Sequence, residues 1–163
     1  MIVVSDTSVL SCLAELGELE LLHRLYGEVT ITKTIREECR HRKAPGTLRE
    51  WFTQVPGWLV IVADPRPTLE ETRVLDLGEA SAITLAWLHR DSSLLLIDER
   101  RGRSICAALG LQMTGTAGVL TDAAAAGWID FEDVFQRLGT TRFRLAETVV
   151  ETLRQRIRER TII

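Results

Sequence analysis

The sequence predicts an α/β fold with a mostly parallel central sheet. Short apolar runs typical of buried strands alternate along the chain with segments whose apolar residues recur at helical spacing. The length of 163 residues and the hydrophobic content of 45% suffice for a substantial core, and no Ser/Gly-rich linker or repeat divides the chain. We therefore expect one domain that spans residues 1–163.

Five apolar runs are the predicted strands, and helical patterns fill the intervals between them. The strand runs are residues 2–5, 29–31, 59–62, 94–97 and 111–113. After the first run, leucines recur at every third position from Leu13 to Leu25, and Gly17 predicts a break between two short helices. A helix over residues 100–109 is expected to follow the fourth run.

The end of the chain predicts an amphipathic C-terminal helix over residues 145–160. Its apolar residues are four positions apart, and its arginines lie on other faces. The apolar positions are Leu145, Val149, Leu153 and Ile157.

The composition indicates a cytoplasmic protein with reduced cysteines. The formal net charge of -3 predicts no global attraction to nucleic acids or membranes, so such binding would need a local basic face. The N-terminus lacks a basic secretion-signal segment, and no stretch approaches the roughly 20 uncharged residues of a membrane span. Cys12, Cys39 and Cys106 are odd in number and far apart, which favours buried thiols over disulfides or zinc ligands.

Two of the predicted strands end directly in acids. Asp6 follows the first strand, and Asp98 with Glu99 follows the fourth. Capping of a helix would by itself explain Asp6. However, the carboxyl ends of parallel strands line the crevice in which such sheets bind ligands. We therefore expect these acids to converge, although they lie far apart in the sequence.

Two further acids, Glu38 and Glu79, are predicted on helices. The helix that Glu79 begins is largely apolar, so its carboxylate is expected to be held against the interior. The alternative is that these are ordinary helix acids, which the positive end of the helix dipole favours.

The order of these acids resembles the PIN domain family. The motifs that carry the resemblance are the strand end at Asp6, Glu38 on an early helix, Leu-Gly-Glu-Ala around Glu79, Leu-Leu-Ile-Asp-Glu-Arg around Asp98, and the glycine-containing run of residues 115–120. The similarity extends from about residue 2 to residue 129. Within the family, the sequence most resembles the compact prokaryotic branch that includes the VapC-like toxins.

The resemblance implies a Rossmann-like three-layer α/β/α sandwich, metal-dependent ribonuclease activity, homodimerisation and, for toxin members, neutralisation by a cognate antitoxin. It places the family's acids on Asp6, Glu38, Glu79 and then Asp98 or Glu99. Many relatives have Asp where this chain has Glu79, whose side chain is one methylene longer. A toxin and a housekeeping RNA-processing nuclease both fit the resemblance.

Convergent acids require a cation. Carboxylates about 4 Å apart repel each other by roughly 4 kcal/mol per pair at an effective dielectric constant near 20. Hard oxygen ligands favour Mg²⁺ or Mn²⁺ over zinc. We expect Asp6 and Asp98 to bind this metal directly, and Glu79 to bind it directly or, like Glu38 and Glu99, through water. A water activated at this centre would attack the phosphodiester.

Basic residues near the acids are the predicted RNA contacts. Arg100, Arg101 and Arg103 follow Asp98 in the sequence, and the Ser8 hydroxyl is expected to orient a ligand. A second cluster beside the early helix acid comprises Arg36, Arg40, Arg42 and Lys43. Solvated helix faces with intrahelical ion pairs explain any one of these residues equally well.

A non-catalytic interaction module is the competing interpretation. In that case the acids only cap helices, and the C-terminal helix binds a partner protein. Aspartyl-phosphate chemistry is a minor alternative, because Ser8 stands where such phosphatases usually carry a second Asp. No glycine is followed by lysine, which excludes a phosphate-binding P-loop.

Overall fold

The computed structural model describes residues 1–141, 143 and 145–161, and it contains one five-stranded sheet. Its strands are β1 (Ile2–Ser5), β2 (Val29–Thr32), β3 (Leu59–Val62), β4 (Ser93–Leu96) and β5 (Met113–Thr114). The strand order is β3-β2-β1-β4-β5, and every pairing is parallel. The predicted α/β class with a parallel central sheet is confirmed.

Nine α-helices surround the sheet in the described part of the chain, in a three-layer α/β/α arrangement. They are α1 (Thr7–Leu16), α2 (Glu20–Tyr26), α3 (Lys33–Arg40), α4 (Gly46–Trp51), α5 (Leu77–Leu88), α6 (Arg100–Ala108), α7 (Thr116–Ala125), α8 (Phe131–Leu138) and α9 (Glu147–Thr161). None of these described helices has the length and hydropathy that crossing a bilayer requires.

The predicted break between the first two helices lies at Gly17. This residue has a φ of 71° and donates its N–H to carbonyl oxygens at the end of α1, which is the usual left-handed helix stop. Leu13 and Leu22, on either side of the break, are completely buried. The leucine repeat is therefore core, and the three cysteines are likewise buried and free of disulfides.

The fifth strand begins later than predicted. The sequence predicts that Leu111 starts it, but Leu111 N–H donates to the carbonyl oxygen of Cys106, and the preceding Gly110 has a φ of 71°. These features belong to the end of α6, so the strand begins only at Met113. The apolar character of Leu111 comes from its burial in the core.

The terminal helix also differs from the prediction. It runs from Glu147 to Thr161, so Leu145 lies before its start. Val150 and Leu153 are buried, whereas Val149 is 42% exposed. In the packing of α9 on α7, Val150 takes the buried position predicted for Val149, whereas Leu153 and Ile157 pack against the core as predicted.

The centre of the sheet determines where a site can form. β1 is the central strand, and the strand order reverses between β1 and β4, which pair from Ile2 opposite Ser93 to Ser5 opposite Leu96. A crevice at the carboxyl ends of strands at such a reversal is the usual ligand site of open α/β sheets. Asp6 follows β1 directly, and Asp98 comes two residues after the end of β4.

Candidate metal centre

Asp6 is the most buried acid of the site, with a side chain that is only 1% exposed. It caps α1, since its Oδ1 accepts a hydrogen bond from Val9 N–H at 3.1 Å. The Ser8 hydroxyl oxygen lies 2.8 and 2.7 Å from its two carboxylate oxygens. Its own N–H donates to the carbonyl oxygen of Leu96 at 3.0 Å, which ties the acid to β4. Capping therefore contributes, but it does not account for the full environment.

Asp98 lies beside Asp6 and is held from the opposite side. Its two carboxylate oxygens accept hydrogen bonds from Thr116 N–H at 2.7 Å and from the Thr116 hydroxyl at 2.6 Å. Its backbone N–H donates to the Ser8 hydroxyl oxygen at 3.3 Å. The same hydroxyl thus contacts both strand-end acids, so Ser8 positions the acids of the site.

Glu38 reaches the same region from α3. Its carboxylate accepts hydrogen bonds from the Thr7 hydroxyl and, at 3.1 Å, from Gly78 N–H. These donors belong to the first turn of α1 and the first turn of α5. The half-buried Glu38 side chain therefore bridges two helices that begin at this edge of the sheet.

Glu79 lies in the first turn of α5, which the Asp76 carboxylate caps by accepting a hydrogen bond from Glu79 N–H at 2.9 Å. Its Oε2 atom is buried and has no hydrogen-bond partner among the described residues. A buried carboxylate oxygen without a partner is costly, because it has lost water and gained nothing in return. This atom is available for a ligand.

Glu99 is placed differently from the other predicted acids. Its side chain is exposed and caps α6 by accepting a hydrogen bond from Arg101 N–H at 3.4 Å. Asp98, by contrast, is held by Thr116 beside Asp6 and lines a large cavity at this edge of the sheet. Of the two alternatives for the fourth acid, the geometry favours Asp98.

Burial raises the pKa of these acids, because it disfavours the charged carboxylate. It raises the pKa of Asp6 to about 7, against the hydrogen bond from Ser8, and the charges of Asp98 and Asp76 add to the increase. Burial, together with the nearby carboxylate of Asp76, raises the pKa of Glu79 to about 8. Because the charge of one acid raises the pKa of another, these carboxyl groups lie close enough to interact.

The other two acids show the same trend in weaker form. Burial raises the pKa of Asp98, opposed by the hydrogen bonds from Thr116 and by the charge of Arg103. Burial also raises the pKa of Glu38, opposed by the hydrogen bond from Thr7. All four acids, Asp6, Glu38, Glu79 and Asp98, therefore have a pKa above the usual value.

A cavity of about 1180 Å³ adjoins the acids. Ser8, Glu38, Asp76 and Asp98 line one part of it. The basic side chains that line it are Lys33, Arg36, His41 and Lys43, from α3 and the segment that follows α3. Arg36 and Lys43 belong to the predicted cluster beside Glu38. We call the four basic side chains that line the cavity the α3 basic wall.

The predicted RNA contacts on α6 lie elsewhere. Arg100, Arg101 and Arg103 do not line this cavity. Arg100 and Arg101 are exposed, whereas Arg103 turns inward and donates to the carbonyl oxygen of Ile97 at 2.8 Å. Arg103 is thus engaged in holding the turn between β4 and α6.

Three residues of the site were missed by the sequence prediction. Asp76 had a signal, because an acid three residues before Glu79 is a typical helix cap. Thr7 and Thr116 had none, since their role depends on helices that meet only in the folded chain. Both are threonine hydroxyls that donate to a carboxylate of the site.

The donor set suits a hard divalent cation. It consists of carboxylate oxygens, and it includes Oε2 of Glu79, which has no partner among the described residues, and the pair of buried Asp6 and half-buried Asp98. Within the described ranges, no three or more His, Cys, Asp or Glu side chains form a preformed cage of metal ligands. Mg²⁺ needs no such cage, because it keeps several waters and uses one or two carboxylates directly.

Comparison with known proteins identifies the family. A model of the PIN domain family matches residues 2–159, which is nearly the whole chain. No curated protein and no solved structure matched the chain. PIN domains are generally nucleases that use divalent metals and act on RNA. The fold, the order of the acids and this match agree, and the chain belongs to the PIN domain family.

Proposed function

We propose that the chain is an Mg²⁺- or Mn²⁺-dependent endoribonuclease that hydrolyses RNA phosphodiester bonds in the cytoplasm. The observation that carries the proposal is the meeting of Asp6 and Asp98 at the reversal point of the sheet. The charge of Asp6 also acts on Glu79, whose buried Oε2 has no partner among the described residues. A fold that used these acids only as helix caps would not need to bring them together.

Asp6, Asp98 and Glu79 would hold the metal in this proposal. When bound there, a divalent cation supplies Lewis acidity toward a phosphate oxygen and lowers the pKa of a water. Glu38 lies in the outer part of the site, where its carboxylate is already held by Thr7 and Gly78. It is suited to orient a water or a substrate hydroxyl group rather than to bind metal directly.

The hydroxyl groups around the acids keep them in place. Ser8 spans the two strand-end acids, and Thr116 holds both oxygens of Asp98. Such partners orient ligating carboxylates, and their loss typically costs about 10- to 100-fold in metal affinity or activity. We therefore assign Ser8 and Thr116 as positioning residues.

The α3 basic wall is the proposed binding surface for the RNA backbone. Lys33 and Lys43 are exposed cations at the cavity that also contains Asp98 and Glu38. Arg36 lies there too, although it also forms an ion pair with Glu37 at 3.0 Å. Cations at this position would contact RNA phosphates on the α3 side of the acids.

The toxin role and the oligomeric state complete the proposal. Sequence resemblance to the VapC-like branch supports assignment as the toxin of a toxin–antitoxin pair, with a cognate antitoxin and a homodimer. Induced expression should then stop growth, and co-expression of a neighbouring gene product should relieve the arrest. Harmless expression of an active nuclease would instead indicate a housekeeping RNA-processing enzyme.

The central test is cleavage of a labelled single-stranded RNA by the wild type and by Asp6→Asn, each with Mg²⁺, Mn²⁺ or EDTA. We expect cleavage by the wild type with metal, and none with EDTA or with Asp6→Asn. Asp91→Asn is the matched control, because this exposed acid lies just before β4, at the opposite end of the strand from Asp98. Asp91→Asn should cleave like the wild type.

A non-catalytic interaction module is the second candidate. The helix caps formed by Asp6 and Glu99 favour it, because capping alone gives each of these acids a structural role. Metal addition separates the two functions, because a real site raises the melting temperature by mass action. If the wild type cleaves no RNA with either ion, and neither ion shifts its melting temperature, the nuclease proposal is wrong and the interaction module is favoured.

A further inference from the structure

Three glycines of the candidate site each lie against a different acid. The pairs are Gly78 with Glu38, Gly102 with Glu79, and Gly115 with Asp98. Each glycine comes from a different segment of the chain, yet each is in contact with a carboxylate.

Gly78 makes the closest approach. A methyl group on its Cα would lie 2.6 Å from Cδ of Glu38 and nearer still to both carboxylate oxygens. The Gly78 N–H also donates to Oε1 of Glu38 at 3.1 Å. The carboxylate therefore occupies the space that any other residue would fill with its side chain.

Gly102 and Gly115 repeat this arrangement. A methyl group at Gly102 would lie 2.6 Å from Cδ1 of Ile97 and 2.7 Å from Oε2 of Glu79, the buried oxygen that has no partner among the described residues. A methyl group at Gly115 would lie 2.5 Å from Oδ1 of Asp98. Heavy atoms cannot approach this closely without a displacement, so an alanine would move the acid or the helix.

The backbone conformation does not require glycine at these positions. The glycines with positive φ among the described residues are Gly17, Gly27, Gly110 and Gly127. The three site glycines are not among them. Two of the three lie in the first turns of α5 and α6, and glycine within a helix is normally less favourable than alanine. Space for the acids is the feature that explains them.

We infer that these three glycines are positioning residues, and that each one leaves room for the carboxylate beside it. The inference rests on the proposed function for its consequence in catalysis. The close approaches themselves are contacts between residues of the chain, so they are testable without any nuclease activity.

The first test is the melting temperature of metal-free full-length variants. Gly78→Ala, Gly102→Ala and Gly115→Ala should each melt below the wild type. Helix propensity alone predicts the opposite sign for the first two. The controls are Gly46→Ala and Gly57→Ala. A methyl group at Gly46 would lie 3.7 Å from the flexible end of Arg49, and one at Gly57 would have no atom of the described residues within 4 Å. Both controls should melt at or above the wild-type temperature.

A double-mutant cycle assigns the destabilisation to the acid. In the background of Glu38→Ala, Gly78→Ala should lower the melting temperature much less than in the wild type, because the carboxylate no longer occupies that space. The mismatched pair of Gly78→Ala with Asp98→Ala should be additive. A variant that does not fold alone enters the same cycle, since truncation of its acid should restore folding. Additivity in the matched pair would overturn the inference.

The functional readout is Mn²⁺ affinity by calorimetry together with steady-state cleavage. Each of the three alanine variants should bind Mn²⁺ about 10- to 100-fold more weakly, with a lower kcat and an unchanged KM. Wild-type affinity with an unchanged melting temperature would overturn the inference. If the wild type neither binds Mn²⁺ nor cleaves RNA, the proposed function fails, and the melting cycle still decides the role of the glycines.

Discussion

The strand-end acids and the charged residues of α9 use charge in opposite ways. The buried carboxyl group of Asp6 lies next to the half-buried one of Asp98, and burial raises the pKa of both. Arg154 of α9 is surrounded by opposite charges near the surface. Its guanidinium group contacts Glu132, Glu147 and Glu151 at 2.6, 3.5 and 3.0 Å.

The two regions therefore differ in what they contribute. Exposed ion pairs cost little to form and contribute little to stability. Buried like charges destabilise the fold, so their presence requires another reason. In this chain the reason that fits is a ligand that neutralises them, and substitutions in either region should reveal the difference.

The largest effect is expected for Asp6→Asn, which removes the most buried charge. Cleavage of RNA should fall by at least about 100-fold because a direct metal ligand is lost. The metal-free protein should become more stable by about 1–3 kcal/mol at pH 8, since the asparagine needs no proton to be neutral. Chemical denaturation with and without Mn²⁺ measures both effects. A variant that is both inactive and less stable at pH 8 would indicate a structural role for Asp6.

The next effect concerns pH. Folded Asp6 and Glu79 have pKa values of about 7 and 8, above the ordinary 3.8 and 4.5, so between these values the folded state binds more protons than the unfolded state. The stability contributed by these two groups is complete below about pH 4 and is lost as the pH rises to 8. Mn²⁺ affinity should change in the opposite direction, by up to about tenfold per pH unit for each displaced proton.

Denaturation of the metal-free protein at pH 5.5 and 8.5 measures this slope. The control is Asp6→Asn combined with Glu79→Gln, which should be much less sensitive to pH. An equal slope in the control would assign the pH dependence to other groups.

A smaller effect is expected from the α3 basic wall. Lys33→Glu with Lys43→Glu should weaken RNA binding and lower the slope of log affinity against log salt by about 0.7 for each phosphate that the protein no longer neutralises. Arg100→Glu with Arg101→Glu is the charge-matched control on α6, which lies outside the cavity. A larger change in the α6 control would place the RNA on the other side of the acids.

The smallest effect is expected at Arg154. Arg154→Met keeps the apolar stem and removes the ion pairs, so the melting temperature should change by no more than about 2 °C and cleavage should stay at the wild-type rate. A large loss of stability would show that the exposed network on α9 matters more than exposed ion pairs usually do.

The acids were largely predictable from the sequence, because strand ends in a parallel sheet converge at one edge. Asp6 and Asp98 are recognisable because they follow apolar runs directly. The choice between Asp98 and Glu99 was not predictable, since adjacent residues differ only in the direction of their side chains. The structure turns Asp98 toward Thr116 and leaves Glu99 exposed as a cap.

The surroundings of the acids depend on interactions between distant segments, and no local pattern encodes them. Thr116 holds an acid that lies 18 positions earlier, and Thr7 holds one that lies 31 positions later. The arginines of α6 were favoured by their closeness in sequence to Asp98, but the helix carries Arg100 and Arg101 away from the cavity. Sequence distance is thus a poor guide to which cation lies beside which acid.

The sheet order has a consequence for protein engineering. The two strands that meet at the site come from different halves of the chain, with β1 and Glu38 before the exposed segment around Arg66 and β4 and Glu79 after it. A cut in that segment would leave each fragment with only part of the acid set. The chain is therefore suited to a split reporter. Two separately expressed fragments would have to reassemble before all of these acids meet in one site.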